Sequence, residues 1–203
     1  MILVFTCEAD SISGIESAVK GLTAQRREKY DSAPEKDKAL ALAAGLCFDA
    51  ARRRAGIPDE TNYALNEYGK PVFEGFGCDL SLTHSGLLAA CAISCDGAAV
   101  GLDCELIRPA RCESIARRMF SPAETELILS SHENERQRVF FDIWTKKESY
   151  IKLLGTGLRT QLKSFDVTDP DSLGIFFTGL GIAPGYACSL CSDISSGVEV
   201  IKI

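Results

Sequence analysis

The amino-acid sequence predicts an α+β fold made of two similar halves. An apolar run at 2–5 predicts a first strand, which is followed by helical patterns at 14–30 and 36–54. Short apolar or alternating runs with glycine-containing turns then predict strands at 72–73, 79–83, 87–94 and 98–106. The same order of helices and then strands returns after Cys112. We therefore predict an N-terminal half at 1–97 and a C-terminal half at 98–203, which meet near Gly97.

Local start and stop signals support the individual elements. Gly56 and Pro58 end the helix at 36–54, and Ser121-Pro122-Ala123-Glu124 combines an N-cap, a first-turn proline and a capping-box glutamate. A longer helical pattern at 134–154 stops at Gly155. The last strands are predicted at 162–167, 175–177, 186–190 and 198–201.

Composition favours an ordinary globular protein, since 46% of the 203 residues are hydrophobic and 25% are charged. The net charge is −6 and no dense basic block occurs, so we expect no nucleic-acid partner. No apolar run approaches the roughly 20 residues of a membrane helix, and no export signal precedes the nine cysteines. We expect a cytoplasmic protein without a membrane partner, and reduced, buried thiols.

A pair of acids in the predicted strand at 98–106 is the first candidate site. Asp103 and Glu105 are two residues apart, so both project from one face while Leu102, Cys104 and Leu106 face the core. Carboxylates held this close repel each other unless a cation neutralises them, and Mg²⁺ prefers such oxygen ligands. The alternative is that the two acids face solvent, and the pair alone favours this alternative.

The helix predicted at 134–154 carries the second candidate. Trp144, Glu148 and Lys152 recur every four residues and share one face, which brings a third carboxylate beside an ammonium. Taken alone, these residues are better explained as an exposed ion pair and a core tryptophan. A third candidate combines Lys70, on a predicted tight turn, with Thr83-His84-Ser85; such groups can hold phosphates, although a single histidine is more often structural.

Together these segments resemble the signature regions of the 4'-phosphopantetheinyl transferase superfamily, specifically its Sfp-type class. The similar segments are Tyr-Gly-Lys-Pro at 68–71, Thr-His-Ser at 83–85, Gly-Leu-Asp-Cys-Glu at 101–105, and Trp-Thr-Lys-Lys-Glu-Ser-Tyr-Ile-Lys at 144–152. The basic segment at 25–29 is similar to the family's segment near the 3'-phosphate of coenzyme A. The resemblance implies two pseudo-symmetric α+β halves, each with a small antiparallel sheet packed on helices.

The resemblance also implies an activity: transfer of 4'-phosphopantetheine from coenzyme A to a serine of an apo acyl or peptidyl carrier protein, with release of 3',5'-ADP. It implies a Mg²⁺ ion bound by Asp103, Glu105 and Glu148, and catalytic roles for Glu148, as the base, and Lys152. The coenzyme contacts that it implies are Arg26, Lys29, Lys70, Thr83, His84 and Lys152. The N-terminal half would hold the nucleotide and phosphates, and the C-terminal half the metal and the catalytic helix.

A basic stretch suggests where the acidic carrier docks, namely at Arg108, Arg111, Ile115, Arg117, Arg118 and Met119. The alternative for each arginine is a solvated helix face. The carrier can belong to fatty-acid, polyketide or non-ribosomal peptide synthesis, and the internal pair of halves favours a monomer. The alternative function is a protein of the same fold that binds coenzyme A or a nucleotide without catalysis.

Overall fold

The computed structural model describes residues 1–203, except for the side chain of Leu158. The strands are β1 (Ile2–Glu8), β2 (Ala64–Leu65), β3 (Pro71–Val72), β4 (Asp79–Ser85), β5 (Leu88–Ser94), β6 (Val100–Leu106), β7 (Phe176–Gly179), β8 (Tyr186–Ser192) and β9 (Val198–Lys202). The helices are α1 (Ile15–Lys20), α2 (Ala24–Ser32), α3 (Lys38–Arg54), α4 (Cys112–Met119), α5 (Pro122–Ser130), α6 (Glu133–Leu154) and α7 (Pro170–Leu173). The α+β class predicted from the sequence is confirmed.

The N-terminal half is built around a four-stranded sheet of order β4-β5-β1-β9. Strands β4, β5 and β1 are antiparallel neighbours, whereas β9 lies parallel to β1 and comes from the far end of the chain. Helix α3 covers one face through residues such as Ala43, Cys47 and Phe48, which are buried against Leu80 and Ile93. Strands β2 and β3 form a separate two-stranded sheet.

The C-terminal half contains an antiparallel sheet of order β6-β8-β7 and helices α4, α5 and α6. A second core lies among these helices, and a third fills the space between the two sheets, where Leu88 and Ala90 meet Val100 and Leu102. This third core explains why every residue of β5 is buried, since the strand is covered on both faces. The two halves therefore share apolar contacts.

Strand β4 is joined to β6 through side chains. Every second residue of β4 accepts a hydrogen bond from a backbone N–H of β6. We call this set of four bonds the β4–β6 ladder. Its members are Asp79 with Val100 at 2.7 Å, Ser81 with Leu102 at 2.9 Å, Thr83 with Cys104 at 3.2 Å and Ser85 with Leu106 at 3.1 Å.

One predicted strand is wrong: residues 162–167 form no strand, and Leu162–Ser164 is a short 3₁₀ helix. The backbone groups that a neighbouring strand would have paired are bonded to buried side chains instead. Lys147 donates to the carbonyls of Leu162 and Phe165 at 2.7 and 2.8 Å, and the N–H of Val167 donates to Glu124 at 2.8 Å. These bonds satisfy the segment without a sheet.

The prediction of reduced thiols is wrong for one pair of cysteines. Cys104 of β6 and Cys188 of β8 are direct register partners and are joined as a disulfide, with their Cα atoms 4.1 Å apart. The other cysteines are free, and five of them are buried: Cys7, Cys47, Cys91, Cys112 and Cys191. The sequence predicted that Cys104 faces the core, and the disulfide lies on that side of β6.

Among the described residues, we find no helix that is both long enough and apolar enough to traverse a lipid bilayer.

Candidate active site

A cleft of about 530 Å³ opens where the N-terminal half meets helix α6. Arg26, Lys29, Tyr63 and His84 line it from one half, and Glu148 and Lys152 line it from the other. Cationic groups thus line both sides of the cleft, and the carboxyl group of Glu148 lies beside them. This arrangement suits a ligand that carries several phosphates.

Helix α2 contributes the basic residues. Arg26 and Lys29 are three residues apart and therefore share a face of the helix. Arg26 is buried with its guanidinium 5.0 Å from the centre of the Phe48 ring, and its Nε has no hydrogen-bond partner among the described groups. A buried guanidinium with an unused donor is suited to bind an anion in the cleft.

Lys70, Thr83 and His84 lie in three different environments. His84 is exposed and lines the cleft. Lys70 also lines it, but its ammonium donates to Asp79 at 2.6 Å and to two backbone carbonyls, of Val100 and Leu153. Thr83 is buried on the opposite face of β4 and belongs to the β4–β6 ladder. The structure therefore places His84 in the cleft, ties Lys70 into the junction between the halves, and turns Thr83 towards β6.

The two acids of β6 lie on the face of the strand that α6 covers. Asp103 is buried, and its Oδ1 accepts hydrogen bonds from Lys152 at 2.7 Å and Thr83 at 3.2 Å. Glu105 accepts a hydrogen bond from Ser85 at 2.7 Å through its Oε2. The helix approaches the strand closely because position 101 is glycine: a Cβ there would lie 1.9 Å from the backbone oxygen of Ser149.

Electrostatics show that Glu148 lies near the same acids. Burial raises the pKa of Glu148, the charges of Asp103 and Glu105 raise it further, and Lys152 opposes the shift. Strand β6 and helix α6 thus place three carboxyl groups within electrostatic range of one another, from positions about 45 residues apart along the chain. Lys152 pairs with Asp103 rather than with Glu148, the partner that the helical spacing alone suggested.

The donor set fits a hard divalent cation. Asp103 Oδ2 is buried and has no hydrogen-bond partner among the described atoms. Such a buried oxygen costs free energy unless a cation binds it. In the part of the chain whose side chains are described, no three His, Cys, Asp or Glu side chains are already arranged at metal-binding distances. The ammonium of Lys152 occupies the other oxygen of Asp103, at 2.7 Å. Binding of a cation would therefore require this lysine to move or share Asp103.

The basic stretch after β6 is exposed at all four arginines, Arg108, Arg111, Arg117 and Arg118. Ile115 and Met119 are half-buried and pack against the C-terminal core. Helix α4, which carries most of this stretch, follows the strand of Asp103 and Glu105 by a short loop. A partner bound to these arginines would thus be close to the acids.

Ser85 and Lys147 make contacts that the sequence did not indicate. Ser85 lies within the quoted Thr-His-Ser segment, and its contact with Glu105 could have been suspected from the polar residues at every second position of β4. Lys147 is fully buried and pairs with Glu124 of α5 at 2.7 Å. Nothing local in the sequence distinguishes it from the half-exposed Lys146 beside it.

Comparison with known proteins identifies a family to which the chain is similar. The family model described as the 4'-phosphopantetheinyl transferase superfamily matches residues 99–197, which include both acids of β6 and all of α6. A 4'-phosphopantetheinyl transferase of Bacillus subtilis is 33% identical over 150 residues, 72% of this chain and 66% of the relative. This chain belongs to the 4'-phosphopantetheinyl transferase superfamily.

Two further relatives place the chain in the Sfp-type class of this superfamily. The 4'-phosphopantetheinyl transferase Sfp of Bacillus subtilis strain 168 is 31% identical over 145 residues, 66% of this chain and 63% of the relative. The 4'-phosphopantetheinyl transferase HetI of Nostoc sp. is 37% identical over 131 residues, 62% of this chain and 55% of the relative. The chain therefore spans less than two thirds of the length of each of these relatives in the family.

Glu148→Gln should make the protein more stable at pH 7 when no divalent ion is present. The folded state holds the Glu148 proton to a higher pH than the unfolded chain does, so ionisation of this carboxyl opposes folding. This loss of folding free energy is absent below the ordinary pKa of 4.5, grows as the pH rises from there to the raised pKa, and is complete above it. Urea unfolding of both proteins at pH 4 and pH 7 measures the difference. A Gln variant that is less stable than wild type at pH 7 would contradict the crowding of the three carboxyl groups.

Proposed function

We propose that this protein transfers 4'-phosphopantetheine from coenzyme A to a serine of an apo acyl or peptidyl carrier protein. The proposal rests on one observation: Glu148 lines the basic cleft, and Asp103 and Glu105 are near enough for their charges to raise its pKa. Membership of the superfamily supports it independently, since relatives are named 4'-phosphopantetheinyl transferases.

Coenzyme A is the proposed co-substrate. Arg26 and Lys29 bind its 3'-phosphate, because both line the cleft and Arg26 has a buried, unused Nε donor. His84, Lys70 and Lys152 also line the cleft and bind the diphosphate, with Lys70 keeping its bond to Asp79. Thr83 does not line the cleft; its hydroxyl donates a hydrogen bond to Asp103 on the neighbouring strand.

Asp103, Glu105 and Glu148 are the proposed ligands of a Mg²⁺ ion. When bound, this ion supplies positive charge to the diphosphate and so favours cleavage of the phosphoanhydride. The ammonium of Lys152 lies 2.7 Å from Asp103 and lines the cleft, so it can turn to a phosphate oxygen of the substrate.

The transfer step forms a bond between the carrier serine oxygen and the phosphorus that bears pantetheine, and it breaks the bond from that phosphorus to 3',5'-ADP. Glu148 accepts the serine proton, directly or through water. Without a metal ion, burial and the neighbouring acids raise the pKa of Glu148, and the positive charge of a bound ion would oppose this shift.

Incubation with apo acyl-carrier and apo peptidyl-carrier proteins, coenzyme A and Mg²⁺ tests the proposal by mass spectrometry. A phosphopantetheine-sized gain on a carrier serine is expected. Binding of coenzyme A with no gain on any carrier would instead support the non-catalytic alternative. The same assay shows which carrier class is preferred.

The carrier is proposed to dock on α4 and the loop before it. The exposed residues Arg108, Arg111, Arg117 and Arg118 supply positive charge, and Ile115 and Met119 supply an apolar edge. Glu113 in the same helix is already paired with Arg136, so it does not neutralise these arginines. An acidic carrier helix would complement this surface.

Arg117→Glu combined with Arg118→Glu should weaken carrier binding at least tenfold, because two attractive charges become repulsive. Affinity for coenzyme A should stay unchanged, since α4 does not line the cleft. Lys20→Glu with Arg54→Glu, which reverses two exposed charges on the N-terminal half, is the matched control. Separate calorimetric titrations with an apo carrier and with coenzyme A measure the two affinities. Equal weakening of carrier binding by the two double variants would rule out docking at α4.

A further inference from the structure

The β4–β6 ladder does more than hold the two halves together. Its first two members, Asp79 and Ser81, accept a backbone N–H of β6 and have no contact with the acids of that strand. The last two also donate to one of these acids: Thr83 to Asp103 at 3.2 Å and Ser85 to Glu105 at 2.7 Å. The same strand thus contains two members that only join the halves and two that also hold a carboxylate.

The hydroxyl groups of Thr83 and Ser85 differ in whether the carboxylate that they bind has another hydrogen-bond donor. A hydroxyl has one hydrogen to donate, so each can direct it to a single acceptor while a lone pair accepts the N–H. Asp103 Oδ1 is held by Thr83 and by Lys152 at 2.7 Å. Among the described groups, Glu105 accepts a hydrogen bond from Ser85 alone. Loss of the Ser85 hydroxyl would therefore release Glu105, whereas loss of the Thr83 hydroxyl would leave Asp103 tied to Lys152.

The contacts leave one oxygen of each acid free. Ser85 binds Oε2 of Glu105, and Thr83 and Lys152 bind Oδ1 of Asp103, whose Oδ2 stays buried and unpartnered. Mg²⁺ demands near-ideal placement of its ligands, and groups that orient metal ligands commonly change metal affinity by about 10- to 100-fold. The free oxygens are the ones available to a cation.

We propose that Ser85 is a positioning residue, by which the N-terminal half sets the orientation of Glu105 in the C-terminal half for divalent-cation binding. The inference rests on the proposed function for the identity of the site. It assigns to Ser85 a role distinct from contact with coenzyme A, because its side chain faces β6, whereas the neighbouring His84 faces the cleft.

Three variants separate positioning from simple joining of the halves. Ser85→Ala removes both the ladder bond and the contact with Glu105, whereas Ser81→Ala removes a ladder bond and no contact with Glu105. Ser81 also lines the cleft, so both variants are compared under saturating coenzyme A. Ser85→Thr keeps the hydroxyl, in the form that Thr83 already has two residues earlier on the strand. Mn²⁺ affinity, measured by calorimetry on the full chain with saturating coenzyme A, is the main readout, and thermal unfolding is measured beside it.

Ser85→Ala should weaken Mn²⁺ binding about 10- to 100-fold and raise the Mg²⁺ concentration for half-maximal transfer by a similar factor. Ser81→Ala should lower the melting temperature at least as much, because Ser81 is the more buried, while its Mn²⁺ affinity stays within about threefold of wild type. Ser85→Thr should restore the affinity. If Ser85→Ala fails to fold, Ser85→Cys, which keeps the volume with a weaker donor, should show the same loss in affinity.

Equal effects of Ser85→Ala and Ser81→Ala on Mn²⁺ affinity would overturn the positioning role. That result differs from failure of the proposed function, in which the wild-type protein itself neither binds Mn²⁺ beside coenzyme A nor modifies any carrier. The second result would overturn both proposals. Wild-type transfer with an unaffected Ser85→Ala variant would overturn only the inference about Ser85.

Discussion

Replacing Asp103 with asparagine should lower the rate of transfer by about 10³-fold, the loss expected when a cation worth several kcal/mol in the transition state is no longer held. The amide oxygen can still accept from Thr83 and Lys152, so the contacts at Oδ1 persist while the negative charge is removed. Turnover of an apo carrier under saturating coenzyme A measures the effect. The melting temperature should change little, because the amide keeps the shape of the side chain.

Asp142→Asn is the matched control for this experiment. Asp142 lies on α6 but pairs with Arg138, and it does not line the coenzyme cleft. Its variant should transfer at nearly the wild-type rate. If Asp103→Asn retained turnover within about threefold of the control, Asp103 could not be a ligand of the metal that drives the reaction.

Replacing Lys147 with methionine should lower the free energy of unfolding by about 3–5 kcal/mol, the cost of leaving one partner of a buried ion pair without the other. Lys147 and Glu124 are both fully buried and lie 2.7 Å apart. Burial lowers the pKa of Lys147, and Glu124 opposes this shift. The same ammonium also satisfies the carbonyls of Leu162 and Phe165, so methionine would leave these two acceptors unpaired and Glu124 without its counter-charge.

Urea unfolding of Lys147→Met and Lys146→Met tests this expectation within one helix. Lys146 is half-exposed and lies 5.8 Å from the centre of the Phe177 ring, so its replacement should cost less than about 1 kcal/mol. Adding Glu124→Gln to Lys147→Met should recover part of the stability, because the buried charge is then neutralised. Equal stability of the two single variants would show that the ion pair does not support the fold.

The acids of β6 illustrate what a sequence can reveal. Strand alternation has a fixed period of two, so the shared face of Asp103 and Glu105 follows from the spacing alone. The core side of Leu102 and Cys104 follows in the same way and is what the structure contains. Helix α6 was also predictable, because its pattern is long and ends at a glycine with a positive φ, Gly155.

The contacts between distant segments could not be predicted from the local sequence patterns. Lys152 was expected beside Glu148 on one helix, yet it pairs with Asp103, 49 residues earlier in the chain. A polar residue at every second position of β4 normally indicates a solvent-facing side, whereas here it forms the ladder to β6. Segment 162–167 has the composition of a strand, but its backbone is satisfied by Lys147 and Glu124. Such partners depend on tertiary structure, which local patterns do not encode.

The parallel pairing of β9 with β1 has a consequence for dissecting the molecule. A fragment that ends at Gly97 would expose the outer edge of β1 and leave the acceptors of β4 without the amides of β6. The complementary fragment would carry β9 with no strand to pair with. Neither piece should fold by itself, but co-expression of the two should reconstitute the native protein by fragment complementation. We therefore expect the chain to unfold as one cooperative unit.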